Sequence, residues 1–173
     1  MINIVTGSNG FSGKFLIDYL LLKKESSEII GIDIQENGSN EAIEYFNIKN
    51  FDKFQDYITQ QNDDVTLFHL GGLIGNYGLP ELIETNVYWT SKYLDLCSKI
   101  KNFKVFINIG SAAEYGNQKA LIMNENLISN PVSNYGISKD IQSKLVLNYG
   151  RIFNLPVVST RTFNLIGPGL GDN

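Results

Sequence analysis

The chain opens with the stretch Ile2-Asn3-Ile4-Val5-Thr6-Gly7-Ser8-Asn9-Gly10-Phe11-Ser12-Gly13, which decides the fold. Its first five residues are mostly β-branched or apolar and end at a glycine, a pattern typical of a buried strand. Apolar residues at helical spacing follow the three glycines. A glycine-rich turn between a first strand and a first helix predicts a dinucleotide site, because its backbone N–H groups can approach a pyrophosphate.

Strand and helix patterns alternate along the rest of the chain. Branched apolar runs predict strands at 29–33, 43–48, 65–70, 105–109 and 157–161. Helical spacing predicts helices at 11–24, 51–58, 80–100 and 135–153. This alternation predicts an α/β fold, a Rossmann-like doubly wound parallel sheet flanked by helices. We therefore expect residues 1–173 to form one dinucleotide-binding domain.

Asp33 ends the second predicted strand, where a carboxylate can accept hydrogen bonds from the adenosine ribose of a dinucleotide. The residues that follow it, Ile34-Gln35-Glu36-Asn37, include no Arg or Lys to bind a 2′-phosphate. This composition favours NAD over NADP. The competing interpretation of Asp33 is a turn residue before Asn37-Gly38.

Composition excludes several classes of protein. The chain has 173 residues, a net charge of −4 and no basic cluster larger than Lys23-Lys24, so we expect no nucleic-acid surface. One cysteine and one histidine exclude an internal disulfide and the usual zinc sites, and no metal is predicted. The sequence contains neither a membrane-spanning apolar run nor a signal-peptide pattern. We expect a cytoplasmic protein with no membrane contact.

The pair Tyr135 and Lys139 is the candidate for proton transfer. Tyr-x-x-x-Lys occurs five times in the chain, but only this pair follows a turn, Pro131 to Asn134, that leads into a helix. Residues four apart share one helical face, where the ammonium would lower the pKa of the phenol. Ser111, after the fifth strand, could bind a substrate oxygen while Tyr135 exchanges its proton. The competing interpretation of Ser111 is a turn cap.

Further motifs occur in a fixed order along the chain. They are Thr6-Gly7-x-x-Gly10-Phe11-x-Gly13, Gly31-x-Asp33, His69-Leu70-Gly71-Gly72, Asn86-Val87, Gly110-Ser111-Ala112-Ala113-Glu114-Tyr115-Gly116, Tyr135-Gly136-x-Ser138-Lys139 and Arg161-x-Phe163-Asn164-x-x-Gly167-Pro168-Gly169. Together they resemble the extended short-chain dehydrogenase/reductases and, more narrowly, the nucleotide-sugar epimerase/dehydratase family.

The resemblance implies roles for individual residues. Ser111, Tyr135 and Lys139 would be catalytic, with Lys139 also on the nicotinamide ribose, and Ser111, Tyr135 and Asn164 would bind the sugar nucleotide. Asn47 and Ile48 lie where the family usually has Asp and an apolar residue against adenine. Trp89 replaces a residue that is usually small. The implied NAD contacts, besides Tyr135 and Lys139, are Gly7, Gly10, Phe11, Ser12, Gly13, Asp33, Ile34, Asn47, Ile48, Leu70, Gly71, Gly72 and Asn86.

The same resemblance narrows the expected chemistry. Ala112 and Ala113 stand where the family's dehydratases have an Asp-Glu pair, which argues against dehydration. Cys97 and His69 do not stand where the 3,5-epimerase/reductases have their acid and base. A 4-epimerase or a 4-keto reductase remains, with a slight preference for relatives of GDP-4-dehydro-6-deoxymannose reductase.

The resemblance also bears on domain organisation and partners. It implies a homodimer formed through the helices at 80–100 and 135–153. It implies a smaller substrate domain beginning at about 167–173, so we expect a truncated chain. The alternatives to an enzyme are an inactive dinucleotide-binding fragment or scaffold and a flavodoxin-like domain with a different ligand.

Overall fold

A single parallel sheet forms the centre of the molecule. The computed structural model describes residues 1–26, 28–35, 38, 40, 43–120 and 122–169. Its strands are β1 (Ile2–Thr6), β2 (Glu28–Asp33), β3 (Glu44–Asn47), β4 (Val65–His69), β5 (Phe103–Ile109) and β6 (Val157–Thr160). They pair in parallel in the order β3-β2-β1-β4-β5-β6, with the winding reversing between β1 and β4. This order is that of a dinucleotide-binding fold, which confirms the predicted fold class.

Helices cover both faces of the sheet. Successive residues of a strand point to opposite faces, and in the buried strands the residues on both faces are largely apolar, so each face needs a cover. The helices are α1 (Phe11–Lys23), α2 (Phe51–Thr59), α3 (Leu79–Ile83), α4 (Trp89–Cys97) and α5 (Asn134–Phe153). On one face Ile4, Ile30 and Ile32 belong to a core that includes residues of α2, α4 and α5. On the other face Val5 and Ile29 pack with Ile17 of α1.

The helix predicted over 80–100 is interrupted. A π-helical turn, Glu84–Tyr88, joins α3 to α4, and the Trp89 N–H donates to the Glu84 carbonyl. The wider turn places Asn86 at a fully buried position. The indole of Trp89 lies edge-on to Phe51, with ring centroids 5.7 Å apart. The large side chain is therefore accommodated by an aromatic cluster between α2 and α4.

The buried side of α5 is largely polar. Ile141 on this helix is 39% exposed, whereas Ser138 and Gln142 are buried. Lys139, Asp140 and Ser143 are buried as well. Such a surface needs partners for its polar groups, and the ends of the strands supply several of them. The expected start of a substrate domain at 167–173 lies partly outside the described residues, because 170–173 are not described.

Candidate functional site

The predicted site residues share one edge of the sheet. Gly7, Asp33, Asn47, Gly71 and Ser111 lie at or just beyond the carboxyl ends of parallel strands. In open sheets of this kind, ligands bind at this edge, beside the point where the winding reverses.

The turn between β1 and α1 is tightly packed inside and open outside. Gly7 has φ +66°, and a Cβ there would lie 2.8 Å from the Cα of Gly71. A Cβ on Gly13 would lie 2.2 Å from the Gly7 carbonyl oxygen, whereas one on Gly10 would meet only that oxygen, at 3.2 Å. No side chain caps the N-terminus of α1, and its first turn holds no acidic residue. The first-turn N–H groups, which include those of Phe11 and Ser12, therefore suit a pyrophosphate.

Asp33 and Asn47 lie side by side at the ends of β2 and β3. The Asp33 carboxylate accepts the Asn9 N–H (2.9 Å) and the Ile34 N–H (2.8 Å). The Asn47 amide donates to the Ile34 carbonyl (2.8 Å), and Asn47 Oδ1 accepts the Lys49 N–H (2.8 Å) at the start of the short helical turn that contains Ile48. Asp33 thus fixes the glycine turn and, with two oxygens, keeps acceptor capacity for ribose hydroxyls.

A buried hydrogen-bond chain connects the cofactor-side loops. Thr90 Oγ1 donates to the Asn86 carbonyl (2.6 Å), so it accepts from Nε2 of His69 (2.8 Å). His69 Nδ1 therefore accepts from Thr6 Oγ1 (2.9 Å), which in turn accepts the Gly71 N–H (3.0 Å). This network assigns the neutral Nε2–H tautomer to the imidazole. Burial, aided by the charge of Lys139, lowers the pKa of His69 to about 3.

Asn86 holds the loop that carries Leu70, Gly71 and Gly72. Its Oδ1 accepts the Leu73 N–H (2.7 Å), and its Nδ2 donates to the Leu73 carbonyl (3.0 Å) and to Ser138 Oγ (3.0 Å). Ser138 Oγ donates to the Tyr135 carbonyl (2.8 Å). The side chain of Asn86 therefore acts inside the protein, joining this loop to the helix that carries Tyr135.

Ser111 is placed both to cap a turn and to act beside Tyr135, the two interpretations made from the sequence. Its Oγ accepts the Ala113 N–H (3.1 Å) and so caps the short helical turn Ala112–Glu114. The same hydroxyl lies near the phenol of Tyr135. The structure thus brings together two of the three predicted catalytic side chains, from the end of β5 and the first turn of α5.

The prediction that the Lys139 ammonium lowers the pKa of Tyr135 is wrong for this structure. Burial raises the pKa of Tyr135, the nearby Ser111 hydroxyl opposes this rise, and the charge of Glu114 raises the pKa further. The Lys139 ammonium instead donates to the Ile109 carbonyl (2.7 Å) at the end of β5. Burial lowers the pKa of Lys139 to about 8, against the opposing effect of Glu114.

Glu114 is a site residue that sequence reasoning missed. It is 1% exposed, it accepts the Ser111 N–H (2.7 Å), and it forms an ion pair with Arg161 (3.5 Å). The guanidinium of Arg161 also lies over the ring of Tyr115, 4.6 Å from its centroid. The capping-box spacing of Ser111 and Glu114 was the signal available in the sequence.

A cleft of about 750 Å³ lies beside the Ser111–Tyr135 pair. It is lined by Ile74, Gly75, Asn76, Tyr77 and Gly78 on one side and by Ser133, Asn134 and Tyr135 on the other. Asn164, the predicted substrate contact, is exposed in the segment after β6. That segment returns towards the glycine turn, since a Cβ on Gly167 would lie 3.1 Å from the ring of Phe11.

The described part of the chain contains neither a cluster of metal ligands nor a helix that could span a membrane. Its His, Cys, Asp and Glu residues form no group of three that could hold a metal ion. None of its helices is both long enough and apolar enough to cross a membrane.

Comparison with known families decides the assignment. The model of the NAD dependent epimerase/dehydratase family matches residues 3–173. The chain belongs to this family. The resemblance drawn from the motifs is confirmed, and the predicted cofactor, NAD, is the one on which the family depends.

Individual relatives agree with this assignment. The chain is 27% identical to an uncharacterized UDP-glucose epimerase, YtcB, of Bacillus subtilis, over 95% of the chain and 57% of that protein. It is 28% identical to the GDP-6-deoxy-D-talose 4-dehydrogenase of Aggregatibacter actinomycetemcomitans, over 98% of the chain and 55% of the relative. The NAD complex of UDP-glucuronic acid 4-epimerase from Bacillus cereus superposes with a TM-score of 0.82 at 28% identity, covering 97% of this chain and 58% of that one. The chain thus spans a little over half the length of each of these three proteins.

Proposed function

We propose that the protein is an NAD-dependent enzyme acting at C4 of a nucleotide sugar, as a 4-epimerase or a 4-keto reductase. The placement of Tyr135 in the wall of the cleft at the carboxyl edge of the sheet, with the Ser111 hydroxyl near its phenol, carries this proposal. Two of the relatives named above support it, because their names refer to position 4 of a GDP-sugar and of a UDP-sugar.

NAD would be held by the glycine turn, Asp33 and the loops after β3 and β4. The uncapped start of α1 fits the pyrophosphate, and the Asp33 carboxylate fits the adenosine ribose. In the same proposal Asn47 and Ile48 lie towards adenine, Leu70, Gly71 and Gly72 border the cofactor, and Lys139 binds the nicotinamide ribose. When bound, NAD supplies the acceptor or donor of a hydride at C4.

The side chains of this site would move the proton that accompanies the hydride. In reduction, the Tyr135 hydroxyl gives its proton to the C4 oxygen as that oxygen gains negative charge. In oxidation, Tyr135 Oη takes the proton from the C4 hydroxyl. Ser111 Oγ donates a hydrogen bond to the same oxygen and orients it, while Asn164 lies towards the sugar diphosphate. Burial raises the pKa of Tyr135 and keeps its phenol protonated at neutral pH, which is the form that reduction requires.

Residues beside Ser111 argue against dehydration. Removing water from the sugar needs a further acid and base, but Ala112 and Ala113 cannot titrate. Glu114, the next residue, is buried and bound by Ser111, Ser143 and Arg161, so its carboxylate is not presented to the cleft.

A turnover assay on the natural full-length polypeptide tests the proposal. UDP-, GDP- and dTDP-hexoses and their 4-keto forms are offered with NAD or NADH, and the absorbance of NADH and the sugar products are followed. We expect turnover with at least one of them and a loss on the order of 100-fold in Tyr135→Phe, the scale of one general acid. Turnover unchanged by Tyr135→Phe would refute the assigned role.

The alternative function is a dinucleotide-binding scaffold without catalysis. It is favoured by one observation, that the Lys139 ammonium donates to the Ile109 carbonyl and is not among the groups that lower the pKa of Tyr135. NAD binding by the full-length polypeptide, with no turnover of any sugar nucleotide offered, would support the scaffold.

We also propose a cytoplasmic homodimer. The single cysteine, Cys97, is buried and suits a reducing compartment. Apolar side chains of α5, Ile141 and Ile152, are 39% and 64% exposed, and Tyr88 in the π-helical turn is 46% exposed. Covering these side chains in a second copy would explain why they are apolar.

A further inference from the structure

The carboxylate of Glu114 lies in a polar pocket built from several elements. It accepts the Ser111 N–H (2.7 Å) and the Ser143 hydroxyl (3.0 Å), and it pairs with Nε of Arg161 (3.5 Å). Gly110 provides the space, because a Cβ there would lie 2.5 Å from Oε1 of Glu114. Elements distant in sequence therefore converge on one buried carboxylate.

The hydrogen bonds around this pocket all point towards the carboxylate. Asn108 Nδ2 donates to Ser159 Oγ (2.9 Å), Ser159 Oγ donates to Ser143 Oγ (3.0 Å), and Ser143 Oγ donates to Glu114. The other two partners, the Ser111 N–H and the Arg161 guanidinium, are donors as well. Burial raises the pKa of Glu114, but surroundings made only of donors, together with the charges of Arg161 and Lys139, oppose this rise and favour the ionised carboxylate.

This pocket is directly behind the candidate catalytic pair. The Ser111 N–H is held by Glu114, while the Ser111 side chain contacts Tyr135. Lys139 and Tyr135 both lie within the field of the Glu114 charge. Around Glu114 the charged and titratable groups are Arg161 from the segment after β6 and, from α5, Tyr135 and Lys139.

We propose that Glu114 is a positioning residue, whose buried negative charge, balanced by Arg161, fixes the backbone of Ser111 and acts on the neighbouring side chains of Tyr135 and Lys139. This inference rests on the proposed function for the roles of those three residues. Glu114 itself does not touch the reacting atoms; it acts through Ser111, Tyr135 and Lys139.

NMR titration of the 173-residue chain tests the proposal without any substrate. The phenol carbon of Tyr135 and the ε-carbon of Lys139 are followed against pH, and their signals are assigned with Tyr135→Phe and Lys139→Arg. In Glu114→Gln the side chain keeps its size but loses its charge, so we expect the pKa values of both Tyr135 and Lys139 to fall. A negative charge raises both values, and its removal must lower both.

The Lys139 signal separates this proposal from a purely structural role. If Glu114→Gln only loosened the site, water would enter, and the pKa of Tyr135 would fall while that of Lys139 rose towards its usual value. That outcome, or an unchanged Lys139, would overturn the proposal. Ser159→Ala is the matched control, because it removes a hydroxyl from the same hydrogen-bond chain without removing charge. We expect it to leave both pKa values in place, and equal shifts in both variants would also overturn the proposal.

Two further measurements keep the test decisive if Glu114→Gln fails to fold. The Glu114 carboxyl carbon of the wild-type chain should report an ionised group at neutral pH, and a protonated one would refute the proposal. In Glu114→Asp the negative charge of the carboxylate remains but lies one bond length, ~1.5 Å, further from Ser111. In an active full-length polypeptide we expect kcat to fall on the order of 100-fold, as for a misplacement of about 1 Å, with KM little changed. An unchanged kcat would contradict the proposed positioning, whereas absent turnover in the wild type would count only against the proposed function.

Discussion

Protonation of the buried imidazole of His69 should make the protein sensitive to acid. Burial lowers the pKa of His69 to about 3, compared with about 6.5 in the unfolded chain. The neutral side chain therefore contributes stability in full above about pH 6.5, and the contribution is lost as the pH falls towards about 3. The difference of about 3.5 pKa units corresponds to about 5 kcal/mol over the whole range. Between about pH 7 and about pH 5 the expected loss is about 2 kcal/mol.

Urea unfolding at these two pH values measures this loss. Trp89, the single tryptophan, lies in the aromatic cluster beside α4, so its fluorescence should report unfolding. The matched variant is His69→Gln. We expect this variant to be less stable at both pH values, and it lacks the pH dependence due to histidine, because His69 is the single histidine. The carboxylates contribute the same pH dependence of stability to both proteins, so their contribution cancels when the two proteins are compared.

The result that would refute this reasoning is an equal loss of stability in the two proteins between the two pH values. A second refutation would be an imidazole NMR signal of His69 that titrates near 6.5 in the folded chain. Either result would mean that water or a carboxylate reaches the ring.

The remaining predictions concern the glycine turn and the proposed dimer. We expect Gly13→Ala to lower the free energy of unfolding by about 1–3 kcal/mol or more, because its Cβ would lie 2.2 Å from the Gly7 carbonyl oxygen. In Gly10→Ala the added Cβ meets only one atom, at 3.2 Å, so we expect the free energy of unfolding to fall by under about 1 kcal/mol while NAD binding weakens. Urea unfolding measures the first effect and NAD titration the second. An unaffected NAD affinity would contradict the pyrophosphate assignment. For the dimer, light scattering of the full-length protein should give twice the mass of one chain, and Ile141→Glu should halve it; a wild-type monomer would contradict the dimer.

The sequence predicted the features that depend on local pattern. The run from Ile2 to Thr6 and the glycines after it indicated a strand, a turn and a helix, because periodicity and backbone freedom are properties of neighbouring residues. Asp33 was placed at a strand end by the same logic. The shared edge of the sheet then followed from the parallel arrangement of the strands.

Features that depend on contacts distant in sequence could not be predicted in the same way. The Lys139 ammonium meets the Ile109 carbonyl, and the raised pKa of Tyr135 reflects burial that no spacing encodes. Glu114 received no role from the sequence, because its contacts with Ser143 and Arg161 join residues distant in the chain. The π-helical turn at Glu84–Tyr88 leaves no mark in the apolar periodicity, because its buried residue, Asn86, is polar.

The position of β1 has a consequence for synthesis on the ribosome. Ile2 pairs with Glu28 on one side and with Val65 on the other. The pairing of β1 with β2 can form across a short connection. The pairing on the other flank of β1 can form only after β4, which is more distant in the chain, has been synthesised. A nascent chain that has reached α2 but not β4 would expose that flank to other chains. Slow translation through the codons before Val65 should therefore favour aggregation during synthesis.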